Sequence, residues 1–425
     1  MKLWEKGVQI DKLIEDFTVG NDRELDLFIA PYDVIATKAH AKMLQAVGIL
    51  NKKELNNLIT GLDTIQQQIE DGSFIIEDQF EDVHSKIEHE LVKAYGSTGK
   101  KIHTARSRND QVLTALHLYF KNNLDVLYDQ IEQLFKTLLS LAESHQSKFL
   151  PGYTHFQRAM PSSFGLWFSA YAEILIDDVF LLKATRQIID QNPLGSAAGY
   201  GSSFPIDREF TTREMNFADL KYNVVAAQMS RGKSEMAISG FLASLGFSLG
   251  KMATDICVYI NQEFNFIDFP ESLTTGSSIM PHKKNPDVFE LIRGKCNRIQ
   301  ALPNEIRAIV ANLPSGYHRD FQLLKQGVIY GIEDMKQVLE IFDYSIKQII
   351  IKDLDPNDTE FNFLFTVDNI NELVLDGMSF REAYQKVASE IKKGEFKPKT
   401  DLEHTHIGSI HNLALDRIRD KFPKI

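Results

Sequence analysis

Cysteine is nearly absent from this sequence of 425 residues: only Cys257 and Cys296 occur, far apart and in segments of helical pattern. Two thiols cannot build a disulfide framework, and no C-x-x-C spacing is available to hold a metal. Long apolar runs are also missing. None approaches the roughly 18 residues that a membrane span requires, so no membrane partner is expected. The first residues, MKLWEKGVQIDKLIEDF, carry charges where a signal peptide needs an apolar stretch, and the expected compartment is the cytoplasm. Positive charge is in deficit, with 47 Lys and Arg against 58 Asp and Glu and a net charge of -11. That balance supplies no basic field for nucleic acid. It does not forbid anionic substrates, because a local cluster of Arg, Lys and backbone N–H groups can reverse the sign inside a cleft. Internal repeats and low-complexity tracts are absent, and strand-like alternation nearly so.

Helical periodicity fills the space these absences leave. The composition, 43% hydrophobic and 25% charged, is that of an ordinary globular protein long enough for two or three domains. Between Ser107 and Gln146, Leu113, Leu116, Phe120, Leu124, Leu127, Ile131, Leu134, Leu138 and Leu141 follow steps of three and four. This is a coiled-coil-like seam. Ser107 with Asp110 three residues later predicts a capped start, and a helix of about 35 residues would run about 50 Å. Similar patterns predict helices opening near Pro161, from about Lys233 to Phe266, from Pro286 with Asn285 as its N-cap, and from about Phe321 to Ile349. The expected fold is all-α. It has three helical domains: residues 1–105, a long central bundle and oligomerisation domain over 106–355, and a small C-terminal domain over 356–425.

Four polar segments interrupt the helices: His103–Gln111, Pro151–Arg158, Asn192–Gly199 and Thr274–Asp287. The last exposes Gly and Ser backbone donors and two lysines immediately before a helix N-terminus, a setting suited to a carboxylate or phosphate. The bland alternative is a solvated loop with a good cap. Gly96-Ser97-Thr98-Gly99-Lys100 lacks the earlier Gly and the Ser or Thr after Lys that a P-loop needs. His84, Glu88 and His89 do not form a metal set, because positions 84 and 89 do not share a helix face as i, i+4 would.

Gly276–Asn285 resembles the signature loop of the fumarase/aspartase superfamily, with its Met-Pro-x-Lys-x-Asn-Pro ending. Arg106–Gln111 and Gly152–Arg158 look specifically like the runs of the argininosuccinate lyase family. The resemblance implies a homotetramer with active sites shared between three subunits. It implies a cofactor-free, metal-free β-elimination that splits argininosuccinate into arginine and fumarate, the last step of arginine biosynthesis. Within it, Ser277 and His155 would be the catalytic acid and base, in an order left open, with Glu290 pairing His155. Lys283 and Asn285 would stabilise the aci-carboxylate. Asn109 and Thr154 would hold the succinyl part, Arg108 a carboxylate, and Tyr317, Gln322 and Lys325 further substrate groups. The bland reading of these last three is an ordinary helix start.

The sequence departs from the family at four places. Ala105 replaces a glycine, His282 a common Gln, Met229-Ser230-Arg231-Gly232 a Ser-x-Arg-Asp pattern, and Asp22 the serine four residues before Asp26. The C-terminal domain is short for the family. These departures touch the arginine-side contacts rather than the elimination chemistry. Two other readings stand beside the main one: a sister lyase for adenylosuccinate, and a catalytically silent crystallin-like structural protein.

Overall fold

The computed structural model describes residues 11–401 and 403–424, so much of the segment read above for the absence of a leader lies outside the described residues. Contacts divide the chain into two compact units. The first takes the described residues up to Tyr128, with Leu181–Ser244 and Arg298–Lys336; the second takes Asp129–Phe180, Leu245–Asn297 and the residues from Gln337 onward. The units cut across the order 1–105, 106–355, 356–425 because the long helices pass from one to the other.

The chain opens with helices α1 (Lys12–Val19), α2 (Asp22–Ala46), α3 (Lys52–Glu70), α4 (Val83–Tyr95) and the single turn α5 (Ser97–Lys100). Local chemistry fixes their starts. Asn51 and Glu54 form a reciprocal capping box on α3, and the Asp82 carboxylate accepts from Ser85 N on α4. The predicted long helix is α6, Arg108–Ser144. At its head Asp110 accepts from Ser107 N at 2.9 Å, and Ser107 Oγ accepts from Asn109 N at 3.2 Å. Every seam residue from Leu113 to Leu138 is buried, and only Leu141 at the tail is half-exposed.

After α6 the expectation of helix fails locally. Phe149–Thr154 and Gln157–Ser163 form an antiparallel hairpin, β1 and β2, in which Pro151 faces Pro161. Pro161 therefore does not open the next helix. That helix, α7 (Phe164–Ile189), starts three residues later, where Ser163 Oγ accepts from Leu166 N at 3.1 Å. The short strand β3 (Gln191–Asn192), helix α8 (Arg208–Glu214) and the short strand β4 (Asp219–Leu220) lead to α9 (Val224–Tyr259). This helix is kinked at Arg231 and Gly232, with Gly232 at φ 84°. It is long and apolar enough to cross a membrane, yet Ile238, Leu242, Leu245, Leu249, Met252 and Ile256 are all buried in the core.

Strand β5 (Ile267–Asp268) is followed by a two-residue pairing of β6 (Thr275–Gly276) with β7 (Lys284–Asn285). Helix α10 (Asp287–Val310) then begins with Pro286 O accepting from Glu290 N, which makes Pro286 the cap in place of Asn285. The turn Arg319–Leu323 precedes α11 (Leu324–Ile346), and strand β8 (Ile350–Ile351) pairs with β5. The chain ends with the 3-10 segment Thr359–Phe365 and helices α12 (Thr366–Leu375), α13 (Phe380–Lys393) and α14 (Leu415–Lys421). The paired strands are all short two-stranded pieces, and helices carry the core as expected.

Candidate active site

In the first unit the start of α6, the start of α2, the 81–84 segment, the kink of α9 and the 317–325 turn meet around a cleft. Arg108, Asn109, Tyr317, Gln322 and Lys325 all line it, so five expected substrate contacts converge. Lys325 is buried there, 2.7 Å from Asp26 and 2.8 Å from Asp22. Burial works against its charge, but the two carboxylates outweigh this and hold the ammonium above the ordinary lysine range. Asp26 is fully committed, since its other oxygen accepts from Val83 N at 3.1 Å. Burial pushes the Asp22 carboxyl up, against the pull of Lys325.

The other cations lining the cleft are also held by protein acceptors. Arg108 reaches Glu81 at 2.6 Å, Asp82 at 3.3 Å and Ser85 Oγ at 2.7 Å. Arg231 pairs with Glu235 at 2.9 Å and donates to Phe321 O at 2.8 Å. Arg319 and Gln322 donate to Thr18 O, and Gln322 also to Val19 O, tying the 317–325 turn to the end of α1. On the wall of the cleft His84 lies 3.2 Å from Asp33, and Gln111 donates to the same carboxylate. Burial opposes the charged form of His84, but Asp33, Asp82 and Asp26 raise its pKa overall.

The third polar segment has a positioning role. Asp110 accepts from Gly195 N at 3.0 Å and Ala197 N at 2.8 Å, gathering the Asn192–Gly199 turn against the head of α6. Of two departures from the family, Ala105 takes a strained backbone and Gly232 suits its place. Ala105 sits at φ 63°, a left-handed conformation that suits glycine. At Gly232 a side chain would meet Val310 Cγ1 at 2.8 Å, and its N–H is capped instead by Glu235 at 2.7 Å.

The second unit holds Thr154, His155, Ser277, Lys283, Asn285 and Glu290. Thr154 ends β1, and His155 with Phe156 forms the two-residue turn to β2, at φ 54° and 58°. Two positive φ values in a row are the mark of a type I′ hairpin turn, which normally selects Asn and Gly. The imidazole of His155 is exposed and makes no hydrogen bond or ion pair among the described residues.

Ser277 opens the loop between β6 and β7. Its Oγ accepts from Ile279 N at 3.3 Å and Met280 N at 3.1 Å, so the hydroxyl caps its own turn. Asn285 donates to Thr275 Oγ1 at 3.4 Å across the hairpin, and Thr275 bonds Asp287 at the head of α10. Lys283 is exposed and makes no ion pair among the described residues. Glu290 lies one turn into α10, with Arg293 3.9 Å away, and is not bonded to His155 within the chain. The expected pairing of Glu290 with His155 is thus not made inside one chain.

The cleft contains residues absent from the expected set: Glu81, Asp82, His84, Arg231 and Arg319, with Asp22 and Asp26. Asp22 and Arg231 carry a signal in the sequence, because both stand where the family pattern breaks. Glu81 and Asp82 carry none, since an acidic pair before a helix reads as an ordinary cap.

Comparison with known proteins gives the family and the fold. The profile of a lyase family matches residues 5–301. The argininosuccinate lyase of Phocaeicola vulgatus is 49% identical over 98% of this chain and 94% of its own. That of Thermotoga neapolitana is 41% identical over 92% and 98%. Among solved structures, the class II fumarase of Schistosoma mansoni superposes with a TM-score of 0.74 at 16% identity, covering 90% of this chain and 89% of that one. An EDDS lyase in complex with formate gives 0.71 at 22% identity, over 92% and 78%. These structures share the all-helical fold. With sequence identity near one half along almost its whole length, the chain belongs to the argininosuccinate lyases of the fumarase/aspartase superfamily.

Proposed function

We propose that this enzyme cleaves argininosuccinate reversibly to arginine and fumarate, as the last step of arginine biosynthesis, in the cytoplasm and without metal or organic cofactor. The observation that carries this reading is near-half identity to argininosuccinate lyases over 98% of the chain. The order 1–105, 106–355 and 356–425 remains our division of the chain into N-terminal, bundle and C-terminal domains.

In this reading a base removes the proton beside a substrate carboxylate, and Lys283, Asn285 and the loop amides stabilise the aci-carboxylate that forms. The C–N bond then breaks, and an acid protonates the leaving guanidino nitrogen. Ser277 and His155 share these two roles. Glu290 on one imidazole nitrogen would fix the tautomer and raise basicity at the other. Asn109 and Thr154 hold the succinyl part, with Arg108, Tyr317, Gln322 and Lys325 around the rest.

The site is assembled in a homotetramer from loops of three subunits. Two observations support this. Neither compact unit holds the whole set, and His155 meets no Glu290 within its own chain. The adenylosuccinate reading is disfavoured in the cleft, where Arg108, Arg231, Arg319 and Lys325 are each held by a protein acceptor rather than left open for a phosphate. The test is direct: mix purified protein with argininosuccinate, then with adenylosuccinate, and follow fumarate absorbance. Turnover of the first alone is expected. Turnover of the second alone would replace the substrate, and turnover of neither would leave the crystallin-like reading.

A further inference from the structure

The turn that carries His155 is not one its residues would choose. Histidine and phenylalanine both sit at positive φ, where each non-glycine residue costs on the order of 1 kcal/mol. The neighbours must therefore hold the turn. One flank is packed: Tyr153 meets Phe264 and Phe266 edge-on and tilted, at ring distances of 5.2 and 6.3 Å. On the other flank a side chain reaches across to the 359–365 segment. Arg158 is the register partner of Tyr153 and the second residue after the turn. Its guanidinium donates to Glu360 O at 2.6 Å, pairs with the Glu360 carboxylate, and lies 5.2 Å over the Phe361 ring. The Tyr153 side chain reaches the same guanidinium. Phe361 is buried with Leu364 and Phe365, and the half-buried Phe149 packs against them, so the Thr359–Phe365 segment is a firm support.

We infer that Arg158 is a positioning residue for His155, clamping the strained hairpin tip onto the 359–365 segment and so aiming the imidazole. This rests on the catalytic reading of His155. Ion pairs as exposed as Arg158 with Glu360 add little stability. The effect of the clamp is therefore directional, and a displacement of about 1 Å at a reacting group is enough to lower turnover strongly. The inference also gives the short C-terminal region a part in catalysis without a residue of its own in the site.

The test compares full-length Arg158→Gln, Arg158→Lys, Glu360→Gln and His155→Asn at a temperature well below every thermal midpoint. Arg158→Gln should lower kcat about tenfold or more with KM changed less than about twofold. Arg158→Lys, which can still donate to Glu360 O, should recover part of that loss. Glu360→Gln should lose less than Arg158→Gln, since the backbone carbonyl and ring contacts remain. If His155→Asn is inactive while Arg158→Gln turns over normally, the positioning role falls. It falls also if kcat and KM move together, or if Arg158→Lys is no better than Arg158→Gln. An active His155→Asn would instead overturn the reading of His155 itself.

Discussion

The cleft of the first unit and the loops of the second are built on opposite principles. In the cleft, Lys325 with Asp26, Arg108 with Glu81 and Arg231 with Glu235 form ion pairs, most of them buried, within the chain itself. In the second unit, His155 and Lys283 are exposed with no partners among the described residues, and Ser277 merely caps its own turn. Paired groups make a rigid, preorganised surface, because a buried charge without its counterion is costly. Unpaired groups cost nothing while they stay in water, and they become strong only when water is excluded. On the proposed reading, the paired groups of the first unit serve binding, while the unpaired groups of the second unit serve the reaction once other loops join them.

The largest test of this contrast is in turnover. Ser277→Ala and His155→Asn should each lower kcat by roughly 10²–10⁴-fold while substrate still binds. Mixed, dissociated and reassociated, the two dead proteins should regain partial activity, because hybrid assemblies contain some sites with both loops intact. Hybrids that form but stay dead would break the shared-site reading.

Two lysines give the next test. Lys325→Met leaves Asp22 and Asp26 facing each other in a buried place and should cost about 3–5 kcal/mol of stability, seen as a lower denaturant midpoint. Lys283→Met should leave the midpoint within about 0.5 kcal/mol and still abolish turnover. Equal midpoints for the two variants would erase the distinction between the units.

Acid stability probes the buried side alone. Burial depresses the His117 imidazole to about 4, and the ring is held between Ile189 O at 2.9 Å and Ser234 Oγ at 3.1 Å. Below the ordinary histidine pKa of about 6.5 the unfolded chain takes up a proton that the folded ring refuses. Its contribution is therefore complete above about pH 6.5 and is lost as pH falls toward 4, by about 2 kcal/mol at pH 5. The raised pKa of His84 acts the other way, its contribution being present in acid and lost as pH rises. Comparison with His117→Asn isolates the first effect: the gap in thermal midpoint between the two proteins should narrow from pH 7.5 to pH 5. A constant gap would mean that His117 does not titrate as described.

The smallest expected effect concerns the backbone. Ala105 at φ 63° should be relieved by Ala105→Gly, raising stability by up to about 1 kcal/mol with turnover unchanged. A fall in the thermal midpoint would show that the left-handed bend at Ala105 is not strained.

Much of this was legible in the residues alone. The buried seam of α6 follows from its heptad spacing, and its start from Ser107 and Asp110, because both depend on contacts within a turn or two of helix. The hairpin after α6 was not legible. Pro161 reads as a helix opener locally, and only pairing with Pro151 across the ladder decides otherwise. The same division runs through the site. Motif order along the chain pointed to Ser277, His155, Lys283 and Asn285, since a loop's chemistry is written in consecutive residues. Residue order does not encode that Arg108 would be held by Glu81 and Asp82, or Lys325 by Asp22 and Asp26 from about 300 positions away. Those pairings come from charges brought out of water together, and only tertiary packing chooses which acid meets which base.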